Sequence, residues 1–174
     1  MMNWELITNI GVLIGIIVGL IQLYLVYKQF KVQNDWQKKS ATMEYLKTYP
    51  DLLKFSVNST GLNLFEKELP TLSSNELKRK LIEEPQFKAD LMSVAGYFEY
   101  LALGIINGYF DEFTAQEYFH LLALRVHEGL TDYFKIREEQ TGRPVCNNFK
   151  TLYNSWRMTK YLTTGKKFEI SQLL

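Results

Sequence analysis

The chain has 174 residues, a net charge of +1 and 22% charged residues, so no bulk electrostatic attraction to nucleic acid is built into it. Its one cysteine, Cys146, excludes an internal disulfide and fits a reducing compartment. With 47% hydrophobic and 14% aromatic residues, the chain has material for one helical core beyond its apolar opening segment.

That opening segment, residues 6–27, reads LITNIGVLIGIIVGLIQLYLVY and carries no charge. About 20 apolar residues in a helix cross a hydrocarbon core of about 30 Å, so residues 1–27 are predicted to form a short tail and a transmembrane helix. Gly11, Gly15 and Gly19 recur at four-residue spacing. At about 100° per residue they share an arc of about 80° with Thr8 and Gln22. A stripe of small and polar residues lets helix backbones approach closely or borders a lumen. The stripe Thr8, Gly11, Gly15, Gly19, Gln22 is therefore the candidate pore or helix-packing face. Plainer alternatives are a lone anchor with incidental glycines, or a buried hairpin helix of a soluble protein. A cleavable signal peptide fits poorly, because no basic residue precedes the run and no small-residue cleavage site follows it.

Lys28, Lys31, Lys38 and Lys39 follow the run, whereas MMNWE before it has no Lys or Arg. The positive-inside rule then places the N-terminus outside and the C-terminal domain in the cytoplasm, with a single pass. Trp4, Tyr24 and Tyr27 suit the two interfaces. No Gly or Pro interrupts the chain from Gln22 to Tyr49, so one helix is predicted over 5–49. Its portion 28–49 is a stalk or a half-buried strut carrying Phe30, Trp36, Met43 and Leu46 as an apolar stripe. A cytoplasmic helical domain occupies 50–174, opening with a short turn over 51–57 and a loop over 58–61.

Ser73 or Ser74 caps a helix over 75–83, which Pro85 stops or restarts. The most apolar cytoplasmic helix spans 86–106 and ends at Asn107–Gly108. A further helix over 114–139 opens on Thr114 and Glu117 as a capping box and bends at Gly129. Gly142 and Pro144 separate it from a last helix over 146–162. No strand-like alternation is present, and the fold class is all-α.

Charged residues inside apolar stretches are the candidates for chemistry. Glu99 lies in GYFEYLAL and Arg125 in HLLALRVHEGL. Their helices are expected to pack antiparallel, which makes Glu99–Arg125 a structural ion pair across the interface, because pairing limits the cost of burying either charge. His120 and His127 are seven apart, too far along a helix to share one metal. Cys146 has no neighbouring Cys or His and reads as a passive side chain. No P-loop, GxSxG or zinc-type cysteine pair is present, so neither cofactor nor metal is expected.

Arg125-Val-His127 resembles the Arg–His signature of HEPN ribonucleases, in which Arg stabilises phosphate and His transfers a proton. Here a single residue separates the pair, a closer spacing than the signature has, so Arg125 and His127 are degenerate candidates and no enzyme is expected. The layout of one N-terminal membrane helix, a helical cytosolic domain and a divergent HEPN-like segment resembles the small membrane accessory proteins of type VI-B CRISPR systems. Residues 97–119, YFEYLALGIINGYFDEFTAQEYF, are also similar to a wider family of small single-anchor helical bacterial proteins. The resemblance implies a ring-shaped homo-oligomer in the bacterial inner membrane. It implies a pore or membrane effector that enhances RNA-guided antiviral defence by compromising the membrane, with a functional link to an RNA-guided RNA nuclease. Direct nucleic-acid binding is not expected. The other reading is a membrane-tethered HEPN-like RNA-binding protein or ribonuclease.

Overall fold

The computed structural model describes residues 4–48 and 73–163, with side chains at 10–48 and 73–158. The predicted turn over 51–57, the loop over 58–61 and the start of the domain at 50 lie outside them. The described residues form six helices and no strand. These are α1 (Trp4–Lys47), α2 (Ser74–Glu83), α3 (Pro85–Ile106), α4 (Glu112–Gly129), α5 (Thr131–Thr141) and α6 (Asn147–Thr163).

The apolar segment and the predicted stalk form one uninterrupted helix of 44 residues, about 66 Å long at 1.5 Å per residue. Among the described residues, only its last turns meet the domain. Thr42 and Leu46 are buried there and Met43 and Tyr45 half-buried, but Phe30 and Trp36 stand exposed. Among the described residues the predicted apolar stripe is thus covered only in its lower half, because the described part of the domain reaches no further up α1 than about Lys38. The grip is specific. The Thr42 hydroxyl donates to the Lys38 carbonyl and accepts from the Asp111 amide at 2.8 Å. Tyr45 stacks on Tyr97 at 4.6 Å and on Phe110 at 5.1 Å, and donates its hydroxyl proton to the Tyr97 carbonyl.

Local chemistry explains the remaining boundaries. Ser73 caps α2 by accepting from the Glu76 amide. Pro85 opens α3, where its missing N–H costs nothing. Asn107 and left-handed Gly108 end that helix. The predicted Thr114–Glu117 box is corrected. Helix α4 starts one turn earlier, and Asp111 caps it by accepting from both the amide and the hydroxyl of Thr114. The predicted bend at Gly129 is a full break between α4 and α5, with the Leu130 side chain buried at the joint.

Helix α6 packs against both α3 and α4 and centres the core. Trp156, Phe98, Phe134 and Phe149 are fully buried, with Phe98 and Phe149 stacked at 5.0 Å. Removing such rings from water contributes roughly 1.5–3 kcal/mol each. Direct packing of α3 on α4 is limited to contacts such as Phe98–Phe119 at 6.2 Å, because α6 fills most of the space where these helices were expected to meet.

Candidate functional site: the uncovered face of α1

Within the domain, the charged and titratable candidates other than Arg125 are held in structural contacts. Glu99 does not pair with Arg125. Its carboxylate turns to the start of α6, accepting from the Phe149 amide at 2.8 Å, the Asn148 amide at 3.3 Å and the Asn148 side-chain amide at 2.7 Å. The cause is local to α6. Cys146, the residue before that helix, sits at φ 53° and turns its thiol to the Ala95 carbonyl. A carboxylate from α3 instead satisfies the free amides at the positive end of the helix. Arg125 is half-buried on α4 and makes no hydrogen bond or ion pair among the described residues.

Arg125 and His127 do not converge. Two residues of helix turn the chain by about 200°, which leaves the side chains about 160° apart. The His127 ring lies flat on Tyr153 at 3.9 Å and edge-on to Phe149 at 5.2 Å, and both its nitrogens are buried without a hydrogen-bond partner. Burial, helped by the Lys150 cation, lowers its pKa to about 4, so the ring is neutral at physiological pH. His120 is tied to the Trp156 carbonyl at 3.2 Å. The Trp156 indole in turn donates to Glu112 at 3.0 Å. Burial raises the Cys146 thiol to about 11, which removes the thiolate a nucleophile or metal ligand needs. No cluster of metal-ligating side chains occurs among the described residues.

What the described domain leaves uncovered is α1 above Lys38. From Ile10 to Gln37 its side chains are exposed all round, apart from half-buried Gly19. Its most apolar 18-residue window has a mean hydropathy of 2.4, and nothing among the described residues covers it. A methyl added at Gly11, Gly15 or Gly19 would meet no atom within 4 Å, so each glycine lies open along the helix. Gln22 and Thr8 belong to the same continuous helix, which fixes the five positions of the stripe in one register. Helix α3 is also long and apolar enough to cross a membrane, but more than half of it is buried in the domain. The glutamate cap on α6 escaped the sequence reading, because the amides that Glu99 binds leave no mark in the sequence.

The chain is similar to an exoribonuclease 2 from Buchnera aphidicola subsp. Cinara cedri (strain Cc), 24% identical over 157 residues. That match takes in 83% of this chain and spans 22% of the length of the relative. No solved structure matches significantly. A family model described as a domain of unknown function, DUF4760, matches residues 9–156, which include both the apolar half of α1 and the helical domain through Trp156. The chain belongs to the DUF4760 family.

Proposed function

We propose that this chain is a single-pass membrane protein that self-associates through the glycine face of α1 and acts on the bilayer as an oligomeric pore or membrane effector. The orientation we propose puts the N-terminus outside and the helical domain in the cytoplasm of a bacterial inner membrane. The observation that carries the reading is the open glycine face on a helix that no other described residue covers there. In lipid, apolar bulk gives no net attraction between helices, so close backbone approach and polar contacts do the work of association. The resemblance to type VI-B accessory proteins assigns the effector to antiviral defence beside an RNA-guided RNA nuclease, as a divergent HEPN-like partner without catalysis of its own.

A second reading, a tethered HEPN-like RNA-binding protein or ribonuclease, draws on the exoribonuclease similarity. The neutral, enclosed His127 and the divergent Arg125 count against cleavage.

The test is ion leakage from cells in which the nuclease has been triggered. Cells with the parent chain should leak, and cells with Gly15→Leu should not, although leucine leaves insertion favourable. Equal leakage from both would remove the glycine face from the mechanism. RNA cleavage by the purified parent that is lost in His127→Ala would favour the second reading.

A further inference from the structure

The face that holds the glycines does not end at the membrane surface. Projected at about 100° per residue, the stalk residues Lys28, Lys31, Asp35, Lys38 and Lys39 fall in one arc of about 100°. Gln29, Gln33, Gln37 and Ser40 fall in an arc of about 80° centred about 170° away. That second arc is the one occupied by Gly11, Gly15, Gly19 and Gln22, because the helix runs unbroken through both parts. All of these stalk amides are exposed, and no charged residue enters their arc from Ile10 to Ser40.

A second, independent observation fixes direction. Thr42, Tyr45 and Leu46, through which the domain grips α1, project onto the charged side. The glutamine arc therefore points away from the described part of its own domain, leaving room for another helix along the stalk as far as Ser40. Charge selects the occupant. A face with no net charge meets its own copy without like-charge repulsion, and each glutamine amide brings both donors and an acceptor, so it is complementary to itself. An acidic or basic partner would find its counter-charges on the wrong side of the helix.

We infer that a second copy of this chain docks along the uncharged face of α1 from Gly11 to Ser40, with glutamine amides of the stalks hydrogen-bonded between copies and each helical domain on the outside. This rests on the self-association proposed above and extends it from the bilayer into the cytoplasm. The stalks then form the neck of the assembly.

Disulfide capture in membranes tests it, since a disulfide needs Cα atoms within about 7 Å. Three full-length variants are compared, Gly15→Cys, Gln33→Cys and Asp35→Cys, with the parent as blank because Cys146 is half-buried in the domain. Gln33 and Asp35 are both exposed, so neither change disturbs the fold. The expected result is covalent dimer from Gly15→Cys and Gln33→Cys, several-fold above that from Asp35→Cys. Dimer from Gly15→Cys, with Gln33→Cys no higher than Asp35→Cys, would overturn the stalk contact and leave the membrane contact standing. No dimer from any of the three would overturn both.

Discussion

At the residue scale, Glu99 decides how the domain is read. Its carboxylate fixes the start of α6, the helix on which α3 and α4 both pack. Glu99→Ala strands the Asn148 and Phe149 amides and should cost about 1–3 kcal/mol, whereas Arg125→Met should cost less than about 1 kcal/mol. Denaturant midpoints of the two single variants and the double variant check this, and additive effects are expected. A strong coupling would restore the ion pair. The sequence exposed the problem, an acid within an apolar helix, but not its solution. Arg125 was the visible opposite charge, while the true partners are two backbone amides and the Asn148 side chain, about fifty residues away. His127 gives a second prediction. Its pKa of about 4 in the folded chain lies below the ordinary 6.5. Between these values the unfolded chain binds a proton that the folded chain refuses. Stability is therefore full above pH 6.5 and falls as the pH drops toward 4, by at most about 1.4 kcal/mol per unit. Urea midpoints at pH 7.5 and 5 should show this fall, and His127→Phe should reduce it. An identical fall in both proteins would place the acid sensitivity elsewhere.

At the scale of elements, the joint between α1 and the domain depends on one glycine. A methyl at Gly104 would lie 2.2 Å from the Phe110 ring, which occupies that space while stacking on Tyr45. Gly104→Ala should expel the ring and destabilise by roughly 1–3 kcal/mol. Most of this loss should vanish against a Phe110→Ala background, and a full loss there would show that the ring is not the cause. Most helices were legible, because apolar spacing, Ser73, Pro85 and Asn107–Gly108 mark them in the sequence. Two boundaries were not. Leu130 continues the apolar pattern across the break after Gly129, so periodicity runs on where the backbone does not. Asp111 and Thr114 are both good caps three residues apart, and the choice is made by α1, whose Thr42 holds the Asp111 amide. The long helix was predicted nearly to its ends, yet its stripe misled at Phe30 and Trp36. Composition does not say how far up the helix the domain reaches.

For the whole molecule, the division of labour is plain in burial. The domain turns its histidines, its thiol and Glu99 inward, and α1 leaves its apolar, glycine-bearing length without a partner among the described residues. The central claim is that other copies supply that partner. The most direct measurement is the particle mass of the full chain in lipid nanodiscs or mild detergent, for the parent and for Gly15→Leu. Each chain contributes 20.4 kDa. The account predicts one discrete parent species several times that mass, and a collapse toward the single-chain mass in Gly15→Leu with the domain still folded. A parent that runs as one chain, or a Gly15→Leu particle as large as the parent's, would contradict it.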